Sequence, residues 1–263
     1  MSFAVAAVLL YLGICVVGRL TFRSALYPAP PPRAVRVPAG AELLTLRAED
    51  GVDVHAVFFP PSAGSAARTV VHFHGNGEQL DDVVPRGAEL AARGLGAVVV
   101  ELRGYGPSSA AHPTEDGFYL DAIAVLDALE ARGIGADRVA LWGTSLGTGI
   151  AAEMARRGRG AALVLVTPYT SVPALARRWF GFLPTSLLVV DRFDTLAKAK
   201  DIRTPTLVIH GDRDELIPYA MGREVTAAIA GARLVTVPGG THNDLFARDG
   251  AHLLTEIAAH CAR

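Results

Sequence analysis

The sequence predicts one α/β domain, built on a mainly parallel sheet with helices on both faces and preceded by a transmembrane helix. Three observations lead there. Strand-like and helix-like stretches alternate through most of the 263 residues, which favours parallel strands joined by helical crossovers. Several strand-like runs are almost wholly apolar, as strands covered on both faces must be. Residues 3–18 carry no charge at all. A chain of this length, 51% hydrophobic, can bury one large core. With a formal net charge of −1 and no sustained Lys/Arg run, it lacks the footprint of a nucleic-acid binder. Cys15 and Cys261 stand at opposite ends of the chain, so they suggest neither a disulfide framework nor a metal cluster.

At the amino terminus, no Lys or Arg precedes the apolar run and Arg19-Leu20-Thr21-Phe22-Arg23 follows it. That pattern reads as an uncleaved anchor rather than a signal peptide, which wants a basic start and a small-residue cleavage site. Residues 1–23 can reach across a bilayer if Arg19 snorkels. Arg19, Arg23, Arg33 and Arg36 all lie beyond the run, placing the following domain on the cytoplasmic side by the positive-inside tendency. Residues 24–40 contain Tyr27-Pro28-Ala29-Pro30-Pro31-Pro32, an extended, semi-rigid spacer. The main domain then occupies 41–263.

Within it, runs at 42–48 and 52–59 flank Glu49-Asp50-Gly51, a strong hairpin signal. A loop over 60–68 leads to Thr69-Val70-Val71-His72-Phe73 and the glycine-rich His74-Gly75-Asn76-Gly77. A helix over about 81–93 precedes an apolar strand at 96–102, closed by a Gly/Pro/Ser-rich loop. Thr114 reads as an N-cap, with Phe118, Ala122, Val125, Leu126 and Leu129 on one helical face. A strand at 138–142 enters Gly143-Thr144-Ser145-Leu146-Gly147, and a helix leaves it with Leu146, Ile150 and Met154 on one stripe. Further strands fall at 161–167, 205–210 and 232–237, and helices at about 221–229 and 243–262.

Gly-x-Ser-x-Gly between strand and helix is the pattern of a nucleophile elbow, where bulk beside the serine would meet the neighbouring backbone. Ser145 therefore stands at the carboxyl end of a strand. Asp214, in His210-Gly211-Asp212-Arg213-Asp214, and His242, in Gly239-Gly240-Thr241-His242-Asn243-Asp244, follow later strands. Sites in such sheets form at the carboxyl ends of strands. Asp212, Asp191, Asp194 and Asp201 also lie between Ser145 and His242 and are alternatives for the acid. His55, His112, His210, His252 and His260 show no metal-ligand spacing, and His72 reads as a packed or hydrogen-bonded strand residue.

Taken together, the elbow, His74-Gly75-Asn76-Gly77, Arg103-Gly104-Tyr105-Gly106-Pro107-Ser108, Asp214 with Pro218, and Gly240-Thr241-His242-Asn243-Asp244 resemble serine hydrolases of the α/β-hydrolase superfamily. They are most similar to a membrane-associated branch that includes protein depalmitoylases and many bacterial members. The resemblance covers residue 42 to the C-terminus. It implies an α/β-hydrolase fold with a sheet of the eight-stranded type, a short cap insertion at 171–202, no cofactor and no metal. It also implies Ser145, Asp214 and His242 as the catalytic triad, with the Asn76 and Leu146 backbone amides as the oxyanion hole. His74, Gly75, Tyr105, Trp179 and Phe180 are the candidate substrate-binding residues. Trp179 and Phe180, with Phe182, Leu183, Leu187 and Leu188, form either the core of the cap or the wall of an acyl pocket. Arg177 and Arg178 beside them form either a solvated turn or a membrane contact. Glu101, where relatives often carry aspartate, reads as structural. The expected chemistry is cleavage of an ester or thioester of a small or lipid-like substrate through an acyl-enzyme; a peptidase and a non-catalytic binding protein of the same fold are the alternatives.

Overall fold

The computed structural model describes residues 2–61, 67–108 and 111–263, so parts of the expected loops at 60–68 and after residue 102 lie outside it. The chain begins with α1 (Phe3–Leu26), then runs β1 (Glu42–Arg47), β2 (Asp53–Phe59), β3 (Thr69–Phe73), α2 (Leu80–Ala92), β4 (Gly96–Val100) and α3 (Glu115–Ala131). β5 (Val139–Thr144), α4 (Leu146–Arg156) and β6 (Ala162–Val166) follow. Three short helices, α5 (Val172–Trp179), α6 (Thr185–Leu188) and α7 (Thr195–Ala199), make the insertion. β7 (Thr206–Gly211), α8 (Tyr219–Ala228), β8 (Arg233–Val237) and α9 (Leu245–Cys261) complete the chain.

All eight strands form one sheet in the order β1-β2-β4-β3-β5-β6-β7-β8. The sheet is mixed: β2 pairs antiparallel with both β1 and β4, and the remaining pairings are parallel. The expected Asp50-Gly51 hairpin joins β1 to β2, with Gly51 at φ 85°, a left-handed conformation that glycine adopts without penalty. Alternation along the strands divides the core in two. Val71, Phe73 and Leu141 face α3 and α4 with Phe118 and Ile150, whereas Val70, Ala140 and Trp142 face α2 and α9 with Leu90 and Leu253. Thr114 caps α3 as expected, its hydroxyl accepting from the Gly117 amide at 3.0 Å.

At the amino terminus the helix continues past residue 23, through Ser24 and Ala25 to Leu26. The extended segment after it is held against the domain. Tyr27 is buried, edge-on to Phe118 at 5.4 Å, and its hydroxyl donates to Asp191 at 3.0 Å. The Gln79 side chain donates to the Pro31 carbonyl at 2.8 Å and accepts from the Arg33 amide at 3.0 Å, while Val35 packs on the α2 side of the core. An extended proline-rich strand offers carbonyls and few amides of its own; here the domain supplies their partners.

Candidate active site

At the elbow, Ser145 sits between β5 and α4 with φ 49° and ψ −114°, a strained geometry for a residue with a side chain. Its amide donates to the Val166 carbonyl of β6 at 2.9 Å. The flanking glycines are steric requirements. A Cβ at Gly143 would lie 2.3 Å from the Gly147 carbonyl oxygen, and one at Gly147 would lie 2.1 Å from the Phe73 carbonyl oxygen. Only hydrogen fits between α4 and strands β3 and β5 at those points.

His242, in the loop after β8, approaches with Nε2 3.1 Å from Ser145 Oγ. Its Nδ1 lies 2.8 Å from Asp214 Oδ2. The other Asp214 oxygen is tied to its own loop, accepting from the Leu216 and Ile217 amides at 3.0 and 2.7 Å. His210 adds a further contact, its Nε2 lying 3.4 Å from Asp214 Oδ2 and 2.9 Å from the Ile217 carbonyl. Burial pushes the Asp214 carboxyl up, but the hydrogen bonds from His210 and His242, the attraction of His242 and the Ile217 amide outweigh it. The group is held well below the usual carboxylate range. The alternative acids are engaged elsewhere: Asp212 accepts from the Gly239 amide at 2.6 Å, Asp191 pairs with Arg23, and Asp194 caps α7. Asp201 is exposed on the loop after α7.

The His74–Gly77 loop abuts the elbow. A Cβ at Gly75 would lie 3.5 Å from Ser145 Cβ, and the Gly75 amide donates to Glu78 at 2.7 Å. The Asn76 side chain is held at both ends: it donates to the Leu26 carbonyl at the end of α1 at 2.6 Å and accepts from the Tyr105 hydroxyl at 2.5 Å. Its backbone amide and that of Leu146 donate to no protein acceptor among the described residues, which leaves both for a ligand oxygen. His74 and Tyr105 are completely buried and support the loop from behind, and neither they nor Gly75 belong to the pocket lining. His74 Nδ1 donates to the Gly75 carbonyl at 2.7 Å, and Nε2 lies 3.2 Å from Glu101. Burial pulls this imidazole's pKa down, but Glu101, Glu78 and the Gly75 carbonyl more than reverse it, so the net shift is upward. Glu101 also accepts from the Leu80 amide at 3.0 Å, the structural role expected of it. His72 is packed as expected, bonded to Thr144 at 3.1 Å and set 4.3 Å from the Trp142 ring.

Ser145 opens onto a pocket of about 490 Å³, within the range of ~300–1,000 Å³ usual for small-molecule sites. Its lining is mostly apolar, and among the described residues no charged side chain lines it. Trp179 and Phe180 line it with Leu183 and Leu188, so the insertion's apolar residues form a wall as well as a core. The opposite wall comes from α1: Gly18, Thr21, Phe22, Ala25 and Leu26. Sequence reasoning missed these residues, because a membrane-spanning pattern looks the same whether or not one face is used. It also missed Tyr169, which lines the pocket and donates to the Leu146 carbonyl at 3.2 Å. His210 was missed as well, although its place at the end of β7, four residues before Asp214, was the available signal. Among the described residues no cluster of His, Cys, Asp and Glu is arranged to hold a metal ion.

Comparison with known proteins agrees with this fold. A family model described as serine aminopeptidase S33 matches residues 64–193, and one described as TAP-like protein matches residues 189–252. An uncharacterized protein of Mycobacterium tuberculosis is 30% identical over 91% of this chain and 85% of its own length. The lysophosphatidylserine lipase ABHD12 of Macaca fascicularis is 28% identical over 67% of this chain and 49% of its own. Among solved structures, Est1E from Butyrivibrio proteoclasticus with bound ferulic acid superposes with a TM-score of 0.70 at 19% identity. It covers 84% of this chain and 100% of that one.

Proposed function

The chain belongs to the α/β-hydrolase superfamily, and we propose that within it this protein is a serine hydrolase cleaving the ester or thioester of a lipid-like acyl group through an acyl-enzyme. The observation that carries the proposal is the bonded run Ser145–His242–Asp214 at the base of an uncharged apolar pocket. A serine hydroxyl is a weak nucleophile until a base takes its proton. His242 Nε2 accepts that proton as Ser145 Oγ attacks the acyl carbonyl, and ionised Asp214 stabilises the imidazolium and fixes its tautomer. The Leu146 and Asn76 amides hold the oxyanion, with the amino-terminal end of α4 behind Leu146 adding its partial positive charge. His242 then protonates the leaving alcohol or thiol. Water, deprotonated by the same imidazole, attacks the acyl-enzyme and frees the acid.

The serine aminopeptidase match favours a peptidase as the second reading. Against it, a site for a free α-amino group wants a carboxylate to hold the cation, and none lines this pocket. The relation to a lysophosphatidylserine lipase favours acyl esters. The test compares p-nitrophenyl esters of increasing chain length, acyl thioesters and aminoacyl p-nitroanilides. Ser145→Ala is expected to remove ester turnover, by about 10⁶-fold, while leaving the fold intact. Retained activity in that variant, or turnover of the anilides alone, sinks the reading. Failure of Ser145 to react with a fluorophosphonate revives the non-catalytic alternative.

A further inference from the structure

The cap carries a second uncharged stretch. Residues 179–190 contain no Asp, Glu, Lys or Arg, and although Val189 is buried, Trp179, Phe180, Phe182, Leu187 and Val190 leave their apolar side chains exposed. Trp179 is 59% exposed, Phe182 68% and Leu187 76%. A contiguous apolar surface of this kind marks a binding face. What covers it follows from its neighbour. The stretch lies along α1, a helix long and apolar enough to cross a membrane: the Tyr11 hydroxyl donates to the Phe182 carbonyl at 3.1 Å, and Gly18 faces Leu188. From Gly18 to Tyr11 is seven residues, about 10 Å along a helix at 1.5 Å per residue. Any bilayer that holds α1 at the level of Tyr11 therefore holds the cap tip at that level too, a third of the way into a hydrocarbon core ~30 Å thick. The charges agree with this placement. Arg19 and Arg23 follow the uncharged part of α1, and Arg177 and Arg178 directly precede the uncharged part of the cap; Arg19, Arg177 and Arg178 are exposed, where long basic side chains can reach the headgroup level.

We propose that the cap stretch 179–190 is embedded in the same bilayer as α1, so that the pocket between them opens into the hydrocarbon and takes its acyl chain from the membrane. Gly18 on α1 and Trp179 and Phe180 on the cap all border the pocket, so an acyl chain moving between these two apolar surfaces reaches Ser145 without passing through water. The substrate class that fits is a membrane-resident acyl ester or thioester whose head group stays at the interface. Only this last clause rests on the hydrolase reading.

The test uses the full chain in phosphatidylcholine nanodiscs. The protein has two tryptophans, and Trp142 is completely buried in the core, so the difference between the wild type and Trp179→Phe reports on Trp179 alone. Trp179 emission is expected to be quenched by doxyl-labelled phosphatidylcholine and protected from aqueous acrylamide. Free quenching by acrylamide with no effect of the doxyl lipid overturns the proposal. A second readout uses Phe182→Glu/Leu187→Glu, two positions outside the pocket lining. This variant is expected to hydrolyse a soluble butyryl ester within twofold of wild type and a long-chain acyl ester held in the bilayer at least tenfold more slowly. Equal rates on the bilayer substrate overturn the proposal. Loss of fluorophosphonate labelling at Ser145 in the wild type would instead overturn the hydrolase reading, leaving the quenching result to stand or fall separately.

Discussion

Ser145, His242 and Asp214 are bonded to one another, but the three are held in different ways. Ser145 is fixed by backbone strain and by the absence of side chains at 143 and 147. Asp214 is fixed by three donors converging on one carboxylate, with His210 close behind it. Its folded-state pKa is depressed, so the ionised form contributes stability above the unfolded-state value, near ~3.9 for aspartate. That contribution is lost as pH falls through the depressed folded value. Asp214→Asn is therefore expected to melt below wild type at pH 7, with the gap narrowing as pH falls below about 4. Melting curves across that range check it, and a gap independent of pH would mean that the carboxylate's charge does not stabilise the fold. Chain order and the resemblance pointed to Asp214 among five aspartates; what separates them physically is which one the loop after β8 meets, a long-range property that residue spacing does not encode.

The decisive contacts between elements are close approaches of backbone. α4 lies so near β3 that Gly147 has room for hydrogen alone. Gly147→Ala must push the helix off the sheet, and overpacking of this kind costs roughly 1–3 kcal/mol or more. The expected result is a melting temperature lower by about 5–10 °C together with loss of esterase turnover, since the same helix presents the Leu146 amide. A variant with unchanged melting and rate would show that the approach is not tight. Asn76 joins three elements through its side chain: the end of α1, the loop carrying Tyr105 and the loop after β3. The glycine pattern of the elbow was visible from sequence because glycine is the local solution to a local clash. The Asn76 contacts were not, because Leu26 lies fifty residues away.

At the scale of the whole molecule, the amino-terminal helix, long and apolar enough to cross a membrane, is also a wall of the pocket. Arg23 pairs with Asp191 of the cap at 2.9 Å, Arg33 pairs with Asp82, and the proline-rich stretch is laid along the domain. Two of the four arginines that suggest orientation by charge are thus already neutralised by partners within the protein. Because Ala25 lines the pocket, Ala25→Trp is expected to shift ester preference toward short acyl chains. The fall in kcat/KM for a dodecanoyl relative to a butyryl ester should be about tenfold or more, as a pocket contact worth ~1–3 kcal/mol implies. Parallel changes for both esters would mean that α1 does not bound the acyl site.

Periodicity, turn chemistry and steric need act over a few residues, so the sequence by itself determined the alternation of strands and helices, the hairpin at Asp50-Gly51, the elbow at Ser145 and the apolar character of both the amino-terminal run and the cap. Apolar character, however, does not name its partner. Only the tertiary structure decided that α1 and the cap face each other across the pocket, that His210 backs the acid, and that Tyr105 braces the His74–Gly77 loop through Asn76. Each of these depends on contacts between segments far apart in the chain, made when the sheet order is set and its loops converge at one end of the strands.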